Sequence, residues 1–271
     1  MVDFLSVMTK PFIACLILTG IHAYLGFHVI KRGIIFVDLS LAQIAALGAV
    51  IAVLVGFEPH SSGAYWLSLG ATVIGAVLLS LTRSKNHEIP QEAMIGIIYV
   101  ISAALAVLLL HQAPEGDEHI RHMLVGNILL VNTPDIIKML IVYTIVGLFH
   151  FVFRKQFFAV TFDEQKTSSG INIQKWDMLF YLTFGVVVTS SVEIAGVLLV
   201  FSFLIIPAAM AVLLVGSVQA RLALGWILGS ILSLIGISLS YFLDLPTGAT
   251  IVCIFGLGFM GISLWRYYVT P

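Results

Sequence analysis

Two carboxylates lie inside long apolar stretches of this sequence, where an ionised group is expensive to place. Asp38 precedes the run 39–48, and Glu193 lies between two apolar runs. An ionisable side chain at the centre of a bilayer costs at least roughly 2.5–3.5 kcal/mol on insertion scales, so it requires a partner, water or a function. A carboxylate in such a place can contact a passing cation. Asp38 and Glu193 are therefore candidate contacts on an ion pathway.

Polar side chains of a second group could add to the same pathway. The amide of Gln43 follows Asp38 on the same predicted helix, and helical spacing is expected to place both on roughly one side. His22 and His28 lie in the first apolar run and His150 in the fifth. Imidazole is a common metal ligand, although a buried histidine more often serves as a hydrogen-bonded core residue. We include Gln43 and His22 as candidate metal contacts and rank His28 below them.

Each carboxylate also has an ordinary structural explanation that the sequence leaves open. Asp38 could cap the helix that it begins, or pair with Lys31 or Arg32. Glu193 could lie in a short external turn with its carboxylate exposed. The sequence contains no nucleophile elbow, zinc-protease motif or phosphate-cradling glycine motif, so we expect neither catalysis nor nucleotide hydrolysis by this chain.

The composition places these polar residues in a membrane. Of the 271 residues, 60% are hydrophobic and 10% are charged, whereas soluble domains contain about 25% charged residues. A disordered chain, a collagen-like fibre and a nucleic-acid module are thereby excluded. The only cysteines, Cys15 and Cys253, lie inside apolar runs, which argues against a disulfide framework. The predicted fold is an all-α polytopic membrane helix bundle with about eight or nine transmembrane helices.

Apolar runs of about 20 residues, the length that crosses a bilayer core, recur along the chain. They predict nine spans, or eight if the almost continuous apolar stretch 176–215 forms fewer helices or one broken helix. Since most connections are short, we expect a single transmembrane domain over residues 1–271. The predicted spans are 11–30, 35–56, 64–82, 92–111, 136–153, 176–192, 194–215, 221–243 and 247–266.

The distribution of basic residues predicts the orientation of the chain. With nine spans, ten of the 13 lysines and arginines lie on one face of the membrane. The connection 154–175 alone holds four of them. Because cytoplasmic loops are enriched in Lys and Arg, this face is expected to be cytoplasmic, with the C-terminus inside and the N-terminus outside.

Segments that run in order from the second predicted span to the C-terminus carry a family resemblance. The strongest is Gly196–Ala211, which reads Gly-Val-Leu-Leu-Val-Phe-Ser-Phe-Leu-Ile-Ile-Pro-Ala-Ala-Met-Ala. It resembles the Gly-x-Leu-Leu…Pro-Ala-Ala run of the membrane permeases of zinc, manganese and iron ABC importers. The other similar segments are Glu92–Ile97, Gly126–Leu129, Phe162–Ile171 and Asp244–Thr250.

The resemblance implies an importer subunit without enzymatic activity and without a bound cofactor of its own. Members of this family have eight or nine spans and work as two permease copies on a cytoplasmic pair of ATP-binding ABC subunits. An extracytoplasmic metal-binding protein delivers the divalent metal ion, and ATP is hydrolysed on the partner subunit. A prokaryotic plasma (inner) membrane is the implied location. Within the cytoplasmic loop 154–175, the coupling segment that contacts the ATPase would include Phe162, Asp163, Glu164 and Gly170.

The second span departs from the family pattern. The family carries an Asp and a His there that are proposed to face the metal path. Aligning on Gly48 places Gln43 at the His position and puts Asp38 one residue out of register. Zinc binds imidazole readily while manganese suits oxygen ligands, so the missing His weakens the case for zinc.

A second class of function uses the same residues without an ATPase. A self-sufficient secondary transporter could couple the membrane carboxylates to ion or proton movement. Such transporters often carry inverted repeats with broken helices in matching halves, and no clear internal repeat is visible in this sequence.

Overall fold

The computed structural model of the chain describes residues 2–59, 61–81, 89–111, 126, 128–162 and 172–269. Within these ranges all regular structure is helical, which confirms the predicted all-α class. The α-helices, in chain order, are α1 (Val2–Arg32), α2 (Val37–Leu54), α3 (Ser62–Leu81), α4 (Gln91–Leu110), α5 (Thr133–Val152), α6 (Arg154–Phe162), α7 (Ile173–Ala195), α8 (Val197–Leu214), α9 (Val218–Leu243) and α10 (Thr247–Val269). A short 3-10 helix, Ile128–Leu130, precedes α5.

Nine of the helices in the described ranges are long and apolar enough to cross a membrane. Each predicted span overlaps one of them, so the polytopic membrane fold is confirmed. The first helix starts well before the predicted residue 11, because it also includes polar residues such as Thr9 and Lys10. The hydroxyl of Thr9 donates to the carbonyl of Leu5 and so needs no partner outside the helix. The length of the apolar run therefore underestimated the length of this helix.

The connection predicted as a loop over 154–175 begins with the helix α6. Its Phe157 is 1% exposed, and the Phe157 ring stacks on the His150 ring of α5 with centroids 3.9 Å apart. This packing explains why the segment is helical although it is not apolar enough to be a span. The rest of the predicted coupling segment, 163–171, lies outside the described residues.

A single residue, Gly196, separates α7 from α8. The apolar stretch 176–215, whose division the sequence left open, therefore forms two helices. Gly196 has φ of 76°, a left-handed backbone conformation that favours glycine. Gly126 also has a positive φ and lies against this junction, where a Cβ on Gly126 would overlap the carbonyl group of Ala195. Two of the segments that carry the family resemblance therefore meet at the break between α7 and α8.

The chain forms two compact units, each with its own helix packing. The first comprises Met1–Ile30, Leu124–Tyr143 and Ile194–Pro271, and in it α8, α9 and α10 pack on one another. The second comprises Lys31–Met123 and Thr144–Glu193, and in it α2 packs against both α3 and α4. The prediction of one transmembrane domain stays a prediction.

Small residues allow close helix contacts within each unit. In the first unit, a Cβ on Gly26 of α1 would overlap the carbonyl oxygen of Leu204 on α8. In the second, a Cβ on Gly48 of α2 would lie 2.8 Å from the Cα of Ser68 on α3. In lipid, where apolar side chains gain little from leaving the solvent, such backbone approach is a main source of helix association.

We predict that Gly26→Ala destabilises the protein while Gly20→Ala does not. The added methyl group at position 26 has no space against the α8 backbone, so we expect a loss of about 1–3 kcal/mol. Gly20 lies on the same helix, and a methyl group added there would have no atom within 4 Å, which makes it the matched control. Thermal unfolding in detergent measures the difference. Equal unfolding midpoints for the two variants would contradict the packing described here.

Candidate functional site

Asp38 is a fully buried carboxylate with no hydrogen-bond partner in the described part of the chain. It is the second residue of α2 and is 0% exposed, and both Oδ1 and Oδ2 are without partners there. The hydroxyl of Ser40, one half-turn further along α2, is buried and unpartnered in the same way. Leaving a buried polar atom unsatisfied usually costs about 1–3 kcal/mol. Asp38 is therefore a costly group for which the described residues supply no hydrogen-bond partner.

The explanation of Asp38 as a helix cap or as the ion-pair partner of a neighbouring cation is wrong. No side chain caps the start of α2. Arg32 instead forms an ion pair with Asp177 of α7, and both side chains are nearly inaccessible. The Arg32 guanidinium also lies over the Phe180 ring, 4.6 Å from its centroid. Lys31 is exposed.

Gln43 is buried on α2 but does not share a face with Asp38. It is 8% exposed. It lies five positions after Asp38, and at 3.6 residues per turn the two side chains are about 140° apart around the helix axis. The expectation that both side chains lie on one side is therefore corrected. Both are nonetheless buried, because α2 packs against two neighbouring helices rather than one.

Glu193 lies in a helix rather than in a turn. It belongs to the last turn of α7, two residues before that helix ends, and its exposure is intermediate. The alternative of an external turn with an exposed carboxylate is therefore wrong. Glu193, Asp38 and Gln43 all belong to the second unit, whereas His22 belongs to the first.

The three histidines of the described spans are buried and contact neighbouring side chains or backbone. The Nδ1 of His22 lies 2.9 Å from the carbonyl oxygen of Leu18, and the His22 ring meets the Tyr143 ring edge-on. The His28 ring lies edge-on to that of Tyr24, with centroids 4.7 Å apart. The Nε2 of His150 lies 2.8 Å from the hydroxyl of Thr183. Within the described ranges, no three His, Cys, Asp or Glu side chains come together as a metal-binding group.

Only one of the four predicted coupling residues lies in the described ranges. Phe162 is the last residue of α6, is 52% exposed, and stacks on Phe158 of the same helix. Asp163, Glu164 and Gly170 lie outside the described residues, so the structure leaves their role a prediction.

Sequence reasoning missed the polar residues that join the ends of α1, α4 and α7. Asp177 lies at the second position of the predicted span 176–192, and it carries the same signal that singled out Asp38. Glu92 was noted only within a motif, yet its Oε1 accepts a hydrogen bond from the backbone N–H of Phe36, just before α2. Both are ionisable residues at the boundary of a predicted span, and that is the sequence signal by which they could have been found.

Comparisons with known proteins point to one class. The family described as ABC 3 transport family matches residues 5–266. A probable iron transport system membrane protein of Haemophilus influenzae is 26% identical, covering 93% of this chain and 88% of its own length. The manganese transport system membrane protein MntC of Listeria monocytogenes is also 26% identical, covering 92% and 87%. The fold is similar to that of a chain in PsaBC from Streptococcus pneumoniae in complex with Fab, with a TM-score of 0.80 at 21% identity over 100% of this chain and 97% of that one.

We predict that Asp38→Leu makes the protein more stable. Leucine has the same branching as aspartate, with methyl groups in place of the two unpartnered oxygens. Removing the burial cost of the carboxylate is expected to raise the free energy of unfolding by about 1–3 kcal/mol. Thermal unfolding in detergent checks this, with the exposed Glu58→Gln as a control expected to have little effect. A lower unfolding midpoint for Asp38→Leu would mean that the carboxylate holds the fold together.

Proposed function

The chain belongs to the ABC 3 transport family, and we propose that it is the membrane permease of an ATP-driven importer for a divalent transition metal. Manganese or iron is the proposed cargo, with zinc as the competing ion. The metal crosses the membrane along a pathway formed with a second copy of the permease. Asp38, Gln43, Glu193 and His22 are the proposed transient contacts.

The burial of Asp38 is the observation that supports this function most directly. A carboxylate that is 0% exposed and lacks a partner among the described residues is expensive in the apolar interior. A passing divalent cation offsets that cost while it is bound. The binding then has to remain weak enough for the ion to leave, which suits a single carboxylate better than a complete ligand cage.

The donor atoms on α2 favour manganese over zinc. Asp38 and Gln43 offer oxygen ligands, and α2 contains no histidine or cysteine. Carboxylate and carbonyl oxygens suit manganese, whereas imidazole and thiolate are well suited to zinc. Relatives of this chain are named for manganese and iron transport, which points in the same direction.

Energy for transport is proposed to come from partner subunits. The sequence contains no phosphate-cradling motif, and a cytoplasmic pair of ABC subunits would bind and hydrolyse ATP. Phe162 is an exposed aromatic residue at the end of α6, and it is the first residue of the segment that we propose contacts those subunits. A binding protein on the outer side would deliver the ion.

The alternative of a secondary transporter is less well supported. It would use the same carboxylates for proton or ion coupling and would need no ATPase. Family membership favours the ATP-driven class, and the sequence shows no clear internal repeat of the kind common in secondary transporters.

We predict ATP-dependent metal uptake by vesicles that contain this chain together with its ATPase and binding protein. Uptake of manganese, iron(II) and zinc is compared with and without ATP on the side of the membrane where the ATPase lies. Accumulation of manganese or iron that requires ATP supports the proposal. Uptake that follows a proton gradient without the ATPase would overturn it in favour of the secondary transporter.

We predict that Asp38→Asn lowers the uptake rate by about tenfold or more, which corresponds to roughly 1.4 kcal/mol of lost cation stabilisation. Asparagine retains the size of the side chain but removes the charge that a cation requires. Glu193→Gln is expected to lower uptake as well, while both variants assemble normally with the ATPase. Glu58→Gln, at an exposed carboxylate of the second unit, is the matched control. Uptake at the unmodified rate in both variants would remove these residues from the pathway.

A further inference from the structure

Three helix ends of the second unit carry polar side chains that contact one another or the backbone just before α2. They are the end of α1 and the beginnings of α4 and α7, all on the face predicted to be cytoplasmic. We define the helix-end network as the side chains that make these contacts. Its members are Arg32, Gln91, Glu92, Asp177 and Tyr181.

The first route through this network joins α7 to the turn before α2. Asp177, in the second turn of α7, pairs with Arg32, whose side chain is 3% exposed. Phe180 and Tyr181 of α7 enclose the guanidinium, with ring centroids 4.6 and 5.4 Å from its carbon. A buried pair between such rings holds Arg32 tightly to α7. The chain then runs only from Arg32 to Val37 before α2 begins.

The second route reaches the same turn through α4. The hydroxyl of Tyr181 accepts a hydrogen bond from Nε2 of Gln91, at 2.8 Å. The next residue, Glu92, accepts a hydrogen bond from the backbone N–H of Phe36 at 3.0 Å. The second oxygen of Glu92, Oε2, is buried without a partner in the described ranges. Phe36 precedes Asp38 by two residues, so both routes converge on the start of α2.

From this geometry we infer that the helix-end network couples the position of Asp38 to that of α7. When the start of α7 moves, Asp38 moves with it. The inference rests on the proposed function, because α7 follows directly after the segment proposed to contact the ATPase. A shift of the α7 start displaces Asp177 and Tyr181 together. Their partners then carry the displacement to the turn 33–36 and to the carboxylate of Asp38. Arg32 and Tyr181 are positioning residues, since neither is proposed to touch the metal.

A purely structural network would produce a different set of variant properties. If the network only holds the fold together, its loss lowers protein stability, and transport and ATP hydrolysis decrease together. If it transmits the movement of α7, its loss separates the two activities, because ATP is still hydrolysed while Asp38 no longer responds. The number of metal ions transported per ATP hydrolysed therefore distinguishes the two roles.

The test uses the complete complex of permease, ATPase and binding protein in vesicles. Tyr181→Phe removes only the hydroxyl that Gln91 contacts, and Arg32→Gln removes the charge that Asp177 contacts. Lys31→Gln is the matched control, since Lys31 is the exposed neighbour of Arg32. Manganese uptake and ATP hydrolysis are measured on the same preparation, and the unfolding midpoint is measured for each variant.

We expect Tyr181→Phe and Arg32→Gln to lower the ions transported per ATP by roughly fivefold or more, within the usual range of coupling between sites. ATP hydrolysis should remain, and Lys31→Gln should match the unmodified complex. Should Arg32→Gln fail to fold, Tyr181→Phe still decides the matter. An unchanged ratio in stable variants overturns the inference alone. Absence of ATP-dependent uptake in the unmodified complex overturns the proposed function and the inference together.

Discussion

The hydrocarbon interior of a bilayer supplies no hydrogen-bond partner, and most features of this chain follow from that constraint. Backbone groups are satisfied within helices, which is why every regular element in the described ranges is helical. Hydroxyl side chains follow the same rule on a local scale. Those of Thr19, Ser191 and Ser233 donate to carbonyl oxygens four residues earlier on their own helices. These hydroxyl groups thus find their hydrogen-bond acceptors on the preceding turn of the same helix.

The backbone of a helix does not neutralise a charged side chain, so a buried charge needs an opposite charge, which can come from another helix. Arg32 illustrates this, because its partner Asp177 lies 145 residues away in the sequence. The pair is placed where α1 ends and α7 begins, and aromatic rings enclose it. Helix ends therefore combine two roles: they accommodate charge, and they join helices that are distant in the chain.

Asp38 departs from this pattern, because neither of its carboxylate oxygens has a partner among the described residues. Natural proteins satisfy buried polar groups almost everywhere, and they retain unsatisfied ones mainly where function requires them. The start of α2 is held from two directions, through Arg32 and through Glu92, yet neither side chain neutralises Asp38. A carboxylate that is held in place but has no partner among the described residues would suit the brief cation contact that we propose. Under that proposal, the cost of burying Asp38 is offset only while an ion is bound.

Hydropathy and composition by themselves determined the membrane class, the all-α fold and the approximate positions of the spans, with eight or nine spans left open, and the ordered motifs indicated the family. These properties are local, because whether a segment partitions into a bilayer depends on its own side chains. The sequence also identified Asp38 as a carboxylate that is expensive to place in an apolar stretch. It could not show that the carboxylate has no partner among the described residues. The expectation that Gln43 shares a face with Asp38 was wrong, because their spacing places them about 140° apart around the helix.

Only the tertiary structure decided which polar groups meet. Lys31 and Arg32 are equivalent candidates for Asp38 on the sequence, yet Arg32 pairs with a distant aspartate and Lys31 remains exposed. Similarly, Gly196 ends one helix and begins another within a single residue, where the apolar pattern is almost continuous. Such outcomes depend on which helices pack together, and the hydrophobic pattern of one helix carries little information about its neighbours. Which side chains pair is a property of the assembled bundle. The burial of Asp38, and its lack of a partner among the described residues, follow from that assembly.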